Sequence, residues 1–405
     1  MDDRLYWIWM QRAIAPGSLK TDALLRGFGC ARAVYESPQN ELLQYGLTKT
    51  ELKLLADKSL DRAGEILNLS LKDKGWILTP EDALYPSLLR SIPGLPLVLY
   101  GYGELPDLDI APVVGVVGTR ATTSYGRRAT ALIAGGLALG GAVVVSGGAN
   151  GVDSVAHEAA LEAGGCTVAV QGCGLDIQYP SQNCELRRRI ARSGAVISEY
   201  PPGTPALRHN FPLRNRMISG VSLGVCVTEA PEKSGALITA RHAFEQGRDV
   251  FAVAGDMLTG RSSGTDALIR QGARLVTSAE EILEEYLPRF PDIINPKAAA
   301  AVRQDPRFRD YGSDKGTSAN SRGKPPMRQV YEKKSSAPHL DRRTLSDEAT
   351  KVLGFITDTP STLEELIAAT DLTAPGVMTA LTELEMNGAI RCNPGQTYVL
   401  RPTEQ

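Results

Sequence analysis

Val113-Val114-Gly115-Val116-Val117-Gly118-Thr119-Arg120 decides the fold: five small or β-branched apolar residues run into a glycine turn that ends on an arginine. A run this short and this apolar predicts a strand buried on both faces, since a strand with one wet face alternates apolar with polar. Residues 126–140 behind it carry helical spacing, and the pattern then repeats. Residues 142–145 end at Ser146-Gly147-Gly148, and further apolar runs at 167–170, 195–198, 223–228 and 249–253 are each separated by a helical stretch. Buried strands alternating with helices predict an α/β domain, an extended Rossmann-like, doubly wound parallel sheet. Residues 96–100 add a candidate edge strand.

Outward from this centre, the 405 residues suffice for two to four domains at roughly 100–200 residues each. Residues 1–80 read as helical, with Leu24, Leu25, Phe28, Val34, Leu42, Leu43, Leu47, Leu52, Leu54 and Leu55 at three-to-four spacing. Gly27-Phe28-Gly29 predicts a tight interhelical turn, of the kind found in SAM-like and helix-hairpin-helix-like domains. One such turn favours a plain connection over a phosphate-binding hairpin. Residues 81–289 hold the Rossmann-like domain, and 290–343 predict a disordered basic linker. From 296 to 343 twelve Lys/Arg stand against five Asp/Glu, a net of +7, with no hydrophobic period. Residues 344–405 predict a winged helix, with helices over 346–357, 362–369 and 373–387 and strands 390–392 and 398–400 flanking a wing at Asn393-Pro394-Gly395-Gln396. Three basic residues there face nine acidic ones, and the would-be recognition helix carries Glu383 and Glu385 without Lys or Arg. That surface repels a phosphate backbone, so a protein-interaction or autoregulatory module is expected.

The net charge of −2 excludes binding to nucleic acid by overall basicity, and requires local clusters instead. No apolar run approaches the roughly 18 residues of a membrane span, and the N-terminal stretch is too short for a signal peptide, so a cytoplasmic protein is expected. The six cysteines form neither a C-x-x-C pair nor a zinc spacing. They read as reduced, mostly buried thiols, and neither a metal nor a cofactor is expected.

Ligands of a doubly wound sheet bind at the carboxyl ends of its strands, near a switch in strand order. Gly118, Thr119 and Arg120 follow the first strand, with Ser124 and Gly126 opening the next helix, whose N-terminal amides suit a phosphate. Ser146, Gly147, Gly148 and Asn150 follow the second strand and can form an anion-binding nest. Asp153 and His157, four apart on the ensuing helix, share a face and are expected to support that loop rather than catalyse. The third segment, Leu207 to Ile218, sets Arg208, Arg214 and Arg216 around Asn210, Phe211 and Asn215. Cations beside an aromatic ring are the elements of single-strand binding. Ser234, Gly235 and Thr239 add small residues at another helix start.

These motifs, taken in order, resemble the DNA-processing protein A (DprA/Smf) family. The resemblance runs from about 85 to 285 through Gly118-Thr119-Arg120, Ser146 to Asp153 with His157, Tyr179-Pro180, Ser198-Glu199 with Pro201-Pro202, and Phe211 to Arg216 with Ile218. Ser234 to Thr239, Gly247-Arg248, Leu268-Ile269 and Gly272-Ala273 complete the set. Ala254 and Asp266 depart from the family pattern, where proline and asparagine are usual. The resemblance implies a homodimer that binds single-stranded DNA and helps to load the recombinase RecA in natural transformation, with single-strand-binding protein as a further candidate partner. It implies that Arg120 contacts phosphate, that Phe211 with Arg208 and Asn210 holds bases, and that Asn215 and Arg216 brace the loop. No nucleophile–base pair or Walker loop is present, so binding without catalysis is expected. The competing expectation is a phosphoribohydrolase-like enzyme, for which Glu199 or Glu229 would supply the acid; a transcription regulator acting through 344–405 is a third.

Overall fold

In the computed structural model of the chain, residues 2–255, 260–309, 311, 346–356, 361–370, 372–386, 389–393 and 397–400 are described. One compact unit falls within residues 1–331 and a second within 332–405.

The apolar runs form a nine-stranded sheet: β1 (Gly75–Leu78), β2 (Leu99–Gly103), β3 (Val113–Val117), β4 (Val143–Ser146), β5 (Thr167–Gln171), β6 (Ala195–Ser198), β7 (Gly224–Val227), β8 (Asp249–Val253) and β9 (Arg274–Val276). Its order is β1-β2-β6-β5-β4-β3-β7-β8-β9. From β6 to β9 every pairing is parallel. Every residue of β3 to β7 is buried, as strands covered on both faces require. Val113, Val117, Val143 and Val145 join one core with Met217 and Ile218. Val114, Val116 and Val144 face the opposite core with Leu137, Val155 and Phe251. Each such side chain contributes about 1.5–3 kcal/mol by leaving water. The expected edge strand near 96–100 is an interior one instead: β2 lies between β1 and β6, antiparallel to both. The β1 run, Gly75-Trp76-Ile77-Leu78, is too short to announce the partner that takes the edge.

The helices that matter for the site are α1 (Arg4–Ala13), α2 (Leu19–Phe28), α3 (Ala31–Glu36), α4 (Lys49–Ala56), α5 (Asp61–Ser70), α6 (Ser124–Leu139), α7 (Val152–Glu162), α8 (Cys184–Ser193), α9 (Asn210–Gly220) and α10 (Ala236–Glu245). Helices α1 to α5 build their own core around Trp7, Trp9, Leu24, Val34 and Leu55, which extends to Ile77 and Tyr100 of the sheet edge. Gly27 and Phe28 belong to α2, and Gly29 alone makes the turn into α3.

The segment from 290 is not yet linker. Helices Pro296–Ala300 and Pro306–Arg309 pack on α6, with Val302 and Phe308 buried in the same core as β3 and β4. Isolated apolar residues among basic ones set no period, which hid them from the sequence reading. Residues 312–343 of the expected linker lie outside the described residues. The second unit has helices Asp347–Leu353, Leu363–Thr370 and Ala374–Met386 and a small sheet of Ser361–Thr362, Thr397–Leu400 and Ile390–Asn393. Glu383 on its third helix accepts from the amide and hydroxyl of Ser346, the cap of its first. Among the described residues, no helix is long and apolar enough to cross a membrane.

Candidate functional site

The strand order reverses at β3. The chain runs from β3 through β4, β5 and β6 to one side, then returns to β7 on the other. The carboxyl ends of β3 and β7 therefore form the switch point, where the first turn of α6 is expected to hold a phosphate. That position is occupied by a side chain. Glu229, 1% exposed, follows β7 and accepts from Thr122 Oγ1 (2.6 Å), Thr123 Oγ1 (2.6 Å) and the Thr123 amide (2.9 Å). Thr123 in turn caps α6 by accepting from the Gly126 amide. A Cβ on Gly126 would collide with the Glu229 carboxylate. The glycine at the start of α6 thus makes room for an acidic side chain.

The neighbouring crevice, outside the carboxyl ends of β3, β4 and β5, is bordered by the exposed Arg120 and Asn150. Gly151 has φ +83° and presses against the carbonyls of Thr119 and Arg120, so only glycine fits there and the two loops lock together. Val152 N donates to Thr119 O across the same joint. Asn183 Nδ2 donates to Gly148 O at 3.0 Å. The amides of Gly148 and Asn150 donate to no group among the described residues. Beneath Gly148, the buried Gln171 turns up an Nε2 without a partner. Unspent donors around a glycine loop are what an anion-binding nest presents. Ser146 and Thr119 are themselves buried and structural: Ser146 Oγ donates to Val116 O, and Thr119 Oγ1 accepts from Ala121 N.

Helix α9 supplies the wall. The half-buried Phe211 ring lies 5.2 Å from Tyr179 and 5.5 Å from the guanidinium of Arg120, with Arg214 at 5.9 Å. Arg120 is exposed and makes no hydrogen bond or ion pair among the described residues. Arg208, one turn before the ring, is likewise exposed. The other two arginines of the cluster are not surface cations. Arg214 is buried and donates to Gly147 O at 2.6 Å and to Val170 O, fixing the glycine loop from below. Arg216 is buried against both oxygens of Glu199, each at 2.6 Å. Two residues apart on a helix, Arg214 and Arg216 leave α9 on different faces, and each is buried because it meets its own acceptors on a different strand end. Asn210 is buried too, and Asn215 Nδ2 donates to Gly235 O at 3.3 Å, tying α9 to the loop before α10. Of the last segment, Ser234 and Gly235 reach the surface, whereas Thr239 is buried.

Asp153 and His157 lie inside. Asp153 flanks Gly147 opposite Arg214 and accepts from Ala149 N, and burial pushes its pKa up against the pull of Arg214. His157 Nδ1 meets Thr167 Oγ1 at 2.7 Å, and that hydroxyl already donates to Val144 O. The imidazole must therefore donate from Nδ1, leaving Nε2 as an unpartnered acceptor. Burial brings its pKa down to about 3. A depressed histidine pKa means the unfolded chain binds the proton first, so stability is lost as pH falls. Below about pH 6.5 we expect a loss approaching 1.4 kcal/mol per pH unit, which urea melts at pH 7.5, 6 and 5 would show and His157→Gln would flatten.

Sequence reasoning missed Gln171, Tyr179, Asn183 and the seating of Glu229. Tyr179 alone carried a signal, as part of the Tyr179-Pro180 motif; Asn183 and Glu229 matter through partners 35 and 107 residues away, and Gln171 only through its place beneath the Gly148 loop. No cluster of three or more metal-ligating side chains occurs among the described residues.

Fold and site together define a doubly wound α/β protein with a glycine-lined, arginine-flanked crevice and a separate winged helix. Residues 76–287 match the family described as DNA recombination-mediator protein A, and 336–396 match the DprA winged helix domain. The protein Smf of Synechocystis sp. is 34% identical over 98% of this chain and 99% of its own length. The DNA processing protein DprA of Streptococcus pneumoniae is 46% identical over 51% of this chain and 72% of its own. The X-ray structure of DprA from S. pneumoniae superposes with a TM-score of 0.61 at 35% identity, covering 68% of this chain and 95% of that one. The chain belongs to the DprA/Smf family of DNA recombination mediators.

Proposed function

We propose that the protein binds single-stranded DNA at the β3–β5 crevice and, without chemistry of its own, helps to load RecA onto it in DNA uptake, as a cytoplasmic homodimer. The observation that carries this reading is the unpaired Arg120 guanidinium stacked 5.5 Å from the Phe211 ring beside a loop with unspent amides. A cation and an aromatic face grip backbone and base together, and neither needs a particular sequence. Membership of a recombination-mediator family supports the RecA step. Arg208, Asn150, Ser234 and Gly235 lie on the exposed side and serve as further contacts, while Arg214, Arg216, Asn210, Asp153 and His157 hold the frame.

The enzymatic alternative needs a free acid. Glu199 is bound to Arg216 and Glu229 to Thr122 and Thr123, so both carboxylates it would use are already engaged. Release of base or phosphate from nucleotides by the purified protein would establish it nonetheless. The winged helix, acidic and with Glu383 turned to its own first helix, is assigned to a protein partner.

The test is a salt-series titration with oligo-dT. Affinity should fall steeply with salt, and Arg120→Ala should lower the slope of log K against log salt by about 0.7, one phosphate contact. An unchanged slope and affinity in a folded variant would place the DNA elsewhere.

A further inference from the structure

Rossmann-type sheets seat a phosphate at the switch point, against the first turn of the helix after the central strand and over a glycine that admits it. The strand, the switch and the glycine of that arrangement are present here with a side chain in the ligand's place, held by Thr122 and the cap residue Thr123 just ahead of the helix's first turn. β3 is the central strand, β7 lies across the switch, and Gly126 provides the opening. The Glu229 carboxylate sits in it, almost wholly buried, on two hydroxyls and one amide. No Lys or Arg pairs with it among the described residues. A buried carboxylate without a countercharge is costly unless its surroundings are built for an anion. The surroundings therefore form an anion site, and its occupant is internal.

We infer that Glu229 is a specificity-determining residue: its carboxylate fills the switch-point anion site and keeps inorganic phosphate and the phosphates of free nucleotides out. Ligands are thereby directed to the neighbouring β3–β5 crevice, a clause that alone rests on the proposed polynucleotide reading. Alanine at 229 would remove the carboxylate and the carbons that carry it, leaving a void comparable to a phosphate group. The donors Thr122 Oγ1, Thr123 N and Thr123 Oγ1 would stay behind to receive one. Glutamine at 229 would fill the same space without charge and leave no vacancy.

The experiment measures thermal unfolding of the full chain and of Glu229→Ala and Glu229→Gln, in sodium phosphate against sodium chloride at matched ionic strength. With phosphate at ten times its dissociation constant, the alanine variant should gain roughly 3–6 °C over its value in chloride. The parent and the glutamine variant should gain nothing comparable. A folded alanine variant that responds to phosphate no more than the parent overturns the inference, as does an equal response in the glutamine variant. If the alanine variant does not fold in chloride, refolding yield in phosphate decides: recovery supports the inference and its absence overturns it. Oligo-dT titration of the parent runs alongside, and failure there counts against the polynucleotide reading alone.

Discussion

Arg216→Ala is expected to cost about 3–5 kcal/mol of stability, because it strands a buried carboxylate. The guanidinium reaches both oxygens of Glu199 at 2.6 Å, and both side chains are almost fully shielded from water. Burial already pushes the Glu199 pKa up, and Arg216 holds it back. Without the arginine, the carboxyl must either take a proton or remain charged and unpaired. The consequence spreads, since Glu199 O also accepts from Gln11 of α1 at 2.7 Å and ties the N-terminal helices to the sheet. A fall in melting temperature of roughly 6–20 °C should follow. The folded fraction, titrated with oligo-dT in the cold, should keep its salt slope. A slope reduced by about 0.7 with an unchanged melting temperature would mean that Arg216 contacts phosphate after all.

Phe211→Ala is expected to weaken oligo-dT binding by about 1–3 kcal/mol, or some five- to 150-fold, through loss of a stacking platform. The ring is half-buried, held by Tyr179 on one side and flanked by Arg120 and Arg214. It is therefore pre-set to receive a base with little ordering cost. Phe211→Trp should keep most of the affinity, since every aromatic offers a π-face. Because Arg120 and Phe211 touch, the double variant Arg120→Ala/Phe211→Ala should lose less than the sum of the two single losses. Anisotropy titrations of the four proteins measure this directly; strict additivity would show that ring and guanidinium act on separate parts of the strand.

The two experiments treat neighbours on one helix as opposites, and the sequence alone does not separate them. Phe211-Pro212-Leu213-Arg214-Asn215-Arg216 reads as a single cationic-aromatic cluster, yet of its arginines and its ring only the ring reaches solvent, joined by the upstream Arg208. Burial of the two downstream arginines depends on acceptors on other strands, Gly147 O and Val170 O for one and Glu199 for the other. Nothing within the segment encodes them. The same holds for Glu229, which was legible only as a spare acid until the fold set it against Thr122 and Thr123, over a hundred residues earlier.

What the sequence determined by itself was the arrangement of layers and the family. Two-sided burial of a strand demands an unbroken apolar run, and glycine at a strand's carboxyl end marks a turn that no other residue makes easily; both are local requirements written in adjacent residues. It also singled out the turns after β3 and β4, through Gly118-Thr119-Arg120 and the Ser146–Asp153 loop. Only the tertiary structure decided which charges beside those turns reach solvent and which are buried in the protein. Whether a charged side chain is exposed is a property of its partners rather than of its neighbours in the chain, and in a parallel sheet those partners arrive by crossover from distant strands.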